Sequence, residues 1–435
     1  MGQEARTGEP GGRDGRRVAA QEAIAAVGNG DRVFFSGTCA TPTTLLDELV
    51  AQRHRFDRLD LVCGYLVEPP AFLDHAAEPF YLTATQATPA MRAAAERGAL
   101  RVLPARYSDY VALLAPDGPL PVDVALLHVS EPGPDGRFSL GVATGTAWHV
   151  AAQARLVIAQ VNPRMPYCFG DAEVGRDAFD LLVDVDEPLV ELHSPRAGAT
   201  LAAVASAAAD LVPDGATLQF GIGALPDAVL TALGDRRHLG IHSGMFSQAC
   251  VDLVEGGAVT NTRKGVDVGI SVAAEVIGDQ ALFDWVHRNP RCHLVRAEES
   301  HGAASLARLA RFTAINGAIE VALDGSLNSE VIAGKVVSGP GGLPDFAFAA
   351  SLCAAGRSII ALPSVAGRSG TSRIVARIEP PAPVTLPAYL ADRVVTEYGT
   401  AELRGLDLAE REVALRGIAH PDHRDALAAF TTRQT

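Results

Sequence analysis

Features that mark several common classes of protein are missing from this chain of 435 residues. Basic side chains are outnumbered, with 37 Lys and Arg against 51 Asp and Glu, which argues against nucleic acid or an anionic membrane as the main partner. Uninterrupted apolar runs stay short of the roughly 18 residues that a membrane-spanning helix needs, so we expect a soluble protein. Residues 1–17 lack the apolar core of a signal peptide, and we predict a flexible tail there.

Cysteine motifs are equally scarce. The six cysteines are far apart and form no CxxC pair, so the sequence indicates neither a zinc site nor a disulfide framework and favours a reducing cytoplasm. HExxH, GxSxG and Walker-type motifs are absent, and the histidines are not grouped with carboxylates at metal-ligand spacing. The sequence therefore predicts a protein without a metal and disfavours those classes of enzyme.

An internal repeat is the strongest pattern that the chain does contain. Residues 30–49 (GDRVFFSGTCATPTTLLDEL) resemble residues 214–233 (DGATLQFGIGALPDAVLTAL), and Gly37 aligns with Gly221. Each copy has a polar turn, a short apolar strand, a glycine loop, and then a proline followed by helical spacing of apolar residues. Both copies therefore predict a strand, a loop and a helix.

A second repeat follows each of these segments in the same order. Its two copies contain Asp135-Gly136 and Asp324-Gly325, which we interpret as turns between strands. Alternating strands and helices predict an α/β fold with mainly parallel sheets in two similar domains, residues 18–195 and 196–435. We expect binding sites at the carboxyl ends of strands and in a cleft between the domains.

The loop over residues 219–226 (QFGIGALP) ends one predicted strand and begins a helix. Backbone N–H groups at such a place stabilise an oxyanion or a phosphate, and Gly221 and Gly223 leave room for a ligand to come close. The same glycine pattern is equally typical of a tight turn that binds no ligand.

The segment 239–261 (LGIHSGMFSQACVDLVEGGAVTN) places His242 and Ser243 near the end of a predicted strand. Either side chain could act as a base or a nucleophile. The alternative is structural: His242 orients the loop and Ser243 caps the next helix.

Two later loops are also candidates for ligand contact. Residues 338–346 (SGPGGLPDF) are rich in glycine and proline, which suits either close approach to a bulky ligand or a structural turn. Residues 360–375 (IALPSVAGRSGTSRIV) carry Arg368 and Arg373 beside small residues, which suits a phosphate site or a solvated surface loop.

Taken together, these segments resemble successive motifs of the acetyl-CoA hydrolase/CoA-transferase family, which includes 4-hydroxybutyrate and butyryl-CoA:acetate CoA-transferases. The resemblance extends over roughly residues 18–430 and includes DVALLHVSEPGPDGRFSLGVA, VVTEYGTAELRGLDLAERE and IAHPDHR. It implies two facing α/β domains, commonly in a homodimer, that use coenzyme A or acyl-CoA as substrate together with an acceptor. It also implies a set of residues that line the CoA thioester: Gly221, Ile222, Gly223, Ala224, Leu225, Ile319, Gly341, Gly342 and Arg373.

The family's usual mechanism uses a glutamate in a GIH-[ST]-E-M motif, whose carboxylate forms an anhydride and then a glutamyl-CoA thioester. In this sequence the motif reads GIHSGM, so Gly244 stands at the position of that glutamate. Two further departures occur nearby, with Leu343 in place of a glutamine and Gly370 in place of a lysine. The three changes together indicate altered chemistry.

Our leading hypothesis is an acyl-CoA transferase or hydrolase that works without a glutamyl-CoA intermediate, with His242 and Ser243 as catalytic candidates. A second hypothesis keeps the usual transfer and assigns it to another carboxylate, such as Glu298, Glu299 or Glu320. A third describes a protein that binds acyl-CoA, alone or as a partner subunit, and catalyses nothing.

Overall fold

The computed structural model describes residues 12–75, 77–367 and 370–429. Numbered in chain order, its strands are β1 Arg16–Arg17, β2 Arg32–Phe35, β3 Leu59–Cys63, β4 Phe80–Ala84, β5 Leu100–Val102, β6 Val124–Ser130, β7 Phe138–Ser139, β8 Leu156–Asn162, β9 Phe169–Gly170, β10 Glu173–Val174, β11 Leu181–Asp184, β12 Thr217–Phe220, β13 Gly240–Phe246, β14 Ser271–Val276, β15 Cys292–Leu294, β16 Phe312–Gly317, β17 Glu320–Ala322, β18 Leu327–Asn328, β19 Val331–Ile332, β20 Lys335–Val336, β21 Arg357–Ala361, β22 Val365–Ala366, β23 Thr371–Ser372, β24 Ile374–Val375, β25 Arg393–Thr396 and β26 Gly399–Glu402.

The α-helices alternate with these strands over much of the chain. They are α1 Ala20–Ala25, α2 Thr43–Ala51, α3 Arg92–Glu96, α4 Tyr107–Leu114, α5 Gly145–Gln153, α6 Ala199–Asp210, α7 Ala224–Ala232, α8 Gln248–Glu255, α9 Gln280–Val286, α10 Ala297–His301, α11 Ala303–Leu306, α12 Leu343–Leu352, α13 Leu408–Ile418 and α14 Pro421–Ala428. The mainly parallel α/β fold predicted from the sequence is confirmed.

The described chain forms two compact units. The first contains the residues up to His193 together with Val272–Ser300, and the second contains Ser194–Ser271 and the residues from His301 onward. The predicted domain boundary at 195 lies close to His193, after which the chain first passes from the first unit to the second. A single boundary does not describe these units, because residues 272–300 return to the first one.

The first unit is built on an eight-stranded sheet with the order β1-β11-β8-β6-β2-β3-β4-β5, in which every neighbouring pair is parallel. Val33 and Phe35 of β2 pack in one hydrophobic cluster, and Phe34 between them packs in another. Because alternate side chains point to opposite faces of a strand, both faces of this sheet are buried.

The predicted flexible tail is only partly within the described residues, since residues 1–11 lie outside them. Residues 12–17 are ordered instead: β1 pairs with β11, and the side chain of Arg13 donates to the carbonyl oxygens of Ala151, Ala154 and Ala178. Arg13 also forms a 2.8 Å ion pair with Asp180. The long side chain of Arg13 thus anchors a segment that has no apolar residues of its own.

The second unit contains six strands in the order β26-β25-β21-β16-β12-β13, and all these neighbours are parallel except the β25–β26 hairpin. A small sheet of β18, β17 and β24 lies in the same unit. Both copies of the first repeat form the predicted strand, loop and helix, as β2 with α2 and β12 with α7. Asp324-Gly325 is the turn of the β17–β18 hairpin, as predicted, whereas β7 pairs with β10 rather than across the Asp135-Gly136 turn.

Candidate active site

The loop between β12 and α7 lies at the carboxyl end of a central strand in the second unit. Gly223 has a φ of +111°, a left-handed conformation that favours glycine, and it directly precedes Ala224, the first residue of α7. A Cβ atom placed on Gly221 would meet only Pro226 Cγ, at 3.8 Å, and one placed on Gly223 would meet no described atom within 4 Å. The first N–H groups of α7 therefore lie beside open space, as an oxyanion or phosphate site requires.

Ser243 joins this loop to the neighbouring strand. It lies in the middle of β13, fully buried, and its hydroxyl donates to the backbone oxygen of Phe220 at 3.2 Å. The same hydroxyl is 3.3 Å from the N–H of Phe220, the last residue before the loop. Ser243 thus holds the strand end from which the glycine loop begins.

The alternative that Ser243 caps the following helix is wrong. Strand β13 continues to Phe246, and Ser247 occupies the N-cap position of α8. Helix α8 ends at a glycine, since Gly256 is its C-cap residue. The strand is longer than expected because its alternating residues are buried on both faces of the sheet, which the short motif alone does not reveal.

His242 and Gly244 lie on the opposite face of β13 from Ser243, as alternation along a strand requires. His242 is 1% exposed, so it is a core side chain in this structure. His242 was predicted near the end of a strand, whereas β13 continues for four residues beyond it, to Phe246.

The imidazole of His301, the last residue of α10, occupies the space beside Gly244. A Cβ atom placed on Gly244 would lie 2.8 Å from His301 Nε2, and one placed on Gly342 would lie 2.9 Å from the same atom. Real Cβ atoms do not come this close to a ring atom, so both positions need glycine while the imidazole stays there. The ring also packs against Phe346 in a tilted arrangement, with 4.6 Å between the ring centroids.

Burial dominates the protonation of His301. The side chain is 4% exposed, and loss of hydration, followed by the nearby His242, lowers the pKa of His301 to about 3. At neutral pH the imidazole is therefore uncharged. It fills the position as a neutral aromatic ring against Phe346, with no formal charge to present to a ligand.

The two other positions that the sequence motifs drew attention to, Leu343 and Gly370, have well-defined surroundings. Leu343 is 8% exposed and packs in a hydrophobic cluster with Val321 and Ile360, where a polar glutamine would lack hydration. Gly370 has a φ of +65°, and its backbone oxygen lies 2.8 Å from Nε2 of His423. At each position the present residue matches its surroundings.

The remaining predicted ligand residues fall into two groups in the second unit. Ile319 directly precedes β17 of the small sheet, and the N–H of Val321 in that strand donates to the Arg373 oxygen at 2.8 Å. Gly341, with a φ of +56°, and Gly342 precede α12. Burial lowers the pKa of Arg373, and the nearby Glu397 opposes that shift. Arg368 lies outside the described residues, and the predicted ligand roles stay predictions.

The three glutamates considered as replacements have other partners. Glu298 pairs with His149, Glu299 lies 3.6 Å from Arg296, and Glu320 accepts from the amide of Asn328 at 3.0 Å. None of the three is fully buried. His301 was not identified from the sequence, because its relation to Gly244 depends on the path of the chain after β15.

Two negative findings hold for the part of the chain that the structure describes. No helix there is long and apolar enough to cross a membrane. No group of three or more His, Cys, Asp or Glu side chains there is arranged to hold a metal ion.

Parallel sheets with glycine loops at the strand ends define an α/β enzyme that binds its ligand at the carboxyl edge of a sheet. Models of the acetyl-CoA hydrolase/transferase N-terminal and C-terminal domains match residues 15–191 and 278–430. The chain belongs to the acetyl-CoA hydrolase/transferase family, which confirms the resemblance found in the sequence motifs.

Individual relatives match along almost the whole chain. The 4-hydroxybutyrate coenzyme A transferase of Clostridium kluyveri is 36% identical over 411 residues, covering 94% of this chain and 96% of the relative. The butyryl-CoA:acetate CoA-transferase of Anaerostipes caccae is 32% identical over 429 residues, covering 94% of each chain. The crystal structure of RipA from Yersinia pestis, 31% identical, has a TM-score of 0.90 over 95% of this chain and 96% of that chain.

Proposed function

We propose that this enzyme transfers or hydrolyses the acyl group of an acyl-CoA without forming a glutamyl-CoA intermediate. The observation that carries the proposal is the imidazole of His301, which occupies the space a side chain at position 244 needs. A carboxylate at that position would have to displace a buried ring that packs against Phe346. The protein therefore has no carboxylate at position 244, and the imidazole of His301 fills the space beside that position.

The parts of the site that act through the backbone support binding of a CoA thioester. In the proposed complex the thioester lies along residues 221–225, with further contacts from Ile319, Gly341, Gly342 and Arg373. N–H groups at the start of α7 hold the thioester oxygen, which becomes negatively charged when a nucleophile adds to the carbonyl carbon. Open space around Gly221 and Gly223 supports this arrangement.

With no glutamate in place, the attacking group comes from outside the enzyme. Attack by a water molecule yields a carboxylic acid and CoA thiol. Attack by the carboxylate of an acceptor acid yields an acid anhydride and CoA thiolate, and the thiolate then attacks the acceptor carbonyl of the anhydride, which releases the first carboxylate and completes the transfer of CoA. A carboxylate acceptor agrees with the names of the two relatives, whose reactions involve carboxylic acids. His242 is the candidate base on β13, whereas Ser243 is committed to the backbone of Phe220.

Steady-state kinetics test the proposal. Initial rates are measured over a grid of acetyl-CoA and acetate, propionate or butyrate concentrations, with release of free CoA thiol followed separately. Direct attack predicts intersecting double-reciprocal lines or acceptor-independent hydrolysis. Parallel lines, the pattern of a covalent enzyme intermediate, would contradict it. Binding of CoA by calorimetry without turnover of any thioester would favour the non-catalytic hypothesis instead.

A further inference from the structure

An open pocket of about 360 Å³ lies in the second unit, at the edge of the sheet where the parallel strands begin. It is lined by the chain that connects α6 to β12 and by two arginines, Arg236 and Arg357. The glycine loop follows the opposite end of β12, after Phe220, so this strand separates the pocket from the candidate active site. Small-molecule sites commonly have volumes of about 300–1,000 Å³. The pocket is therefore large enough for a small ligand.

The two arginines come together because of the parallel strand order. Arg357 is the first residue of β21, and Arg236 lies in the turn between α7 and β13. The last carbonyl oxygens of a helix have no partner within the helix, and the end of α6 provides such groups here. Nη2 of Arg236 donates to the Ala209 oxygen at 3.1 Å, and Nη1 of Arg357 donates to the Leu211 oxygen at 2.5 Å. Each guanidinium group is thus held in place by the chain at the end of α6.

These bonds use only a small part of what the arginines can donate. A guanidinium group carries five N–H donors. Nε and Nη2 of Arg357 form no hydrogen bond with the described residues, and Nε of Arg236 is buried without a partner among them. A buried donor without a partner costs free energy. Binding to the end of α6 therefore does not account for the whole arrangement.

Positive charge is concentrated around this pocket, although the chain as a whole has a net charge of −14. Two further arginines contact the same segment: the N–H of Arg237 donates to Asp214 Oδ1 at 2.8 Å, and Nη1 of Arg311 donates to the Asp214 backbone oxygen at 3.0 Å. Asp214 and Asp210 offset part of this charge, and Asp210 Oδ1 lies 3.6 Å from Nη2 of Arg236. Four arginines against two aspartates leave a positive excess that suits a ligand with a single anionic group.

We propose that this pocket binds the phosphate group of a small phosphate monoester. The planar fork of an arginine matches two oxygens of a phosphate, and the Nε and Nη2 groups of Arg357 form such a fork. Arg236 supplies a second cation, while Leu211, Val212 and Pro213 provide apolar contact for the rest of the ligand. The site lies outside the candidate active site and does not depend on the proposed function.

Calorimetry with inorganic phosphate and with phenyl phosphate tests the proposal. The wild type is compared with Arg357→Gln and Arg236→Gln, and with the control Arg424→Gln. Arg424 is a matched arginine of the same unit: its Nε donates to the Ala419 oxygen at 2.9 Å, and it does not line the pocket. Gly221→Val is included because it alters the candidate active site and leaves the pocket unchanged.

We expect one phosphate per chain, with phenyl phosphate bound more tightly than inorganic phosphate because its ring adds the apolar contact. Each of Arg357→Gln and Arg236→Gln should raise the Kd by about tenfold or more, since a charged hydrogen-bond donor to the anion is lost. Arg424→Gln and Gly221→Val should bind both probes like the wild type.

The absence of saturable phosphate binding to the wild type would overturn the proposal, as would an unchanged Kd in folded Arg357→Gln. A phenyl phosphate affinity no greater than that for inorganic phosphate would contradict a monoester ligand. Should Arg357→Gln fail to fold, Arg357→Lys provides the test, because lysine keeps the charge but has no planar fork. Arg357→Lys should bind phosphate more weakly than the wild type, and equal binding would also overturn the proposal.

Discussion

Gly244 and His301 form a matched pair: Nε2 of the histidine lies 2.8 Å from the point where a side chain of residue 244 would begin. The glycine at position 244 is therefore matched to a partner elsewhere in the fold. A second residue, distant in sequence, fills the space, and Gly342 accommodates the same ring. The three residues form one packing arrangement, in which the imidazole occupies the space beside both glycines.

This pairing predicts a specific energetic coupling. Gly244→Ala should lower the free energy of unfolding by about 1–3 kcal/mol, because its methyl group overpacks against the imidazole. His301→Ala should lower stability through the cavity that it leaves. The double variant should be less destabilised than the sum of the two, by about 0.5–3 kcal/mol, as measured by urea unfolding.

Gly317→Ala is a suitable control, since this strand glycine has only the Ala361 oxygen nearby, at 3.8 Å. It should change stability little and add independently to His301→Ala. Strict additivity between Gly244→Ala and His301→Ala would contradict the packing relationship.

A larger side chain in the glycine loop before α7 should weaken ligand binding but leave the stability of the fold nearly unchanged. Gly221→Val places its branched side chain where only Pro226 Cγ lies within 4 Å, so we expect a nearly unchanged Tm. The same side chain blocks close approach of a ligand, and calorimetry should show a Kd for CoA raised by about tenfold or more.

Gly234→Val provides the comparison, because Gly234 is exposed and lies after α7, near the oxygen of Thr231. It should bind CoA like the wild type. Equal affinities in the two variants would count against ligand contact at Gly221.

We expect Ser243 to stabilise the fold and not to act as a nucleophile. Its buried hydroxyl bonds to the backbone of Phe220, so Ser243→Ala should cost about 1 kcal/mol of stability. Turnover should stay within about tenfold of the wild type, since the backbone groups of the loop remain in place. A loss of more than about 1000-fold in kcat, with the fold intact by circular dichroism, would identify Ser243 as a nucleophile.

The pKa of His301 predicts how stability responds to pH. The unfolded histidine takes up a proton as the pH falls below about 6.5, whereas the folded one stays neutral until about 3. Stability from the neutral ring is complete above pH 6.5 and declines as the pH falls toward 3. Between pH 7 and 5 this amounts to about 2 kcal/mol.

Replacing His301 with leucine should remove that part of the pH dependence. Urea unfolding at pH 5, 6 and 7 for His301→Leu should show a shallower decline than the wild type. His54→Leu, at an exposed position, controls for the loss of a histidine as such. If stability fell equally with pH in the wild type and His301→Leu, the imidazole would take up its proton at the same pH in the folded and unfolded states, which would contradict the prediction.

Sequence patterns were sufficient for features that depend on neighbouring residues. The strand, glycine loop and helix around Gly37 and Gly221 follow from local periodicity, and the hairpin at Asp324-Gly325 follows from its turn residues. The family motifs located the candidate site. These signals need no knowledge of distant contacts.

The position of His301 was harder to predict. Its imidazole lies beside Gly244, which is remote from it in sequence. Burial lowers the pKa of His301, and burial of a single polar side chain is not encoded in local spacing.

The central claim, acyl transfer or hydrolysis without a glutamyl-CoA intermediate, is tested most directly by trapping. The enzyme is incubated with acetyl-CoA during turnover, treated with borohydride or hydroxylamine, digested and examined by peptide mass mapping. We predict steady release of CoA thiol with every glutamate-containing peptide at its unmodified mass. A peptide carrying a reduced or hydroxamate-modified glutamate, formed in proportion to the enzyme, would contradict the account.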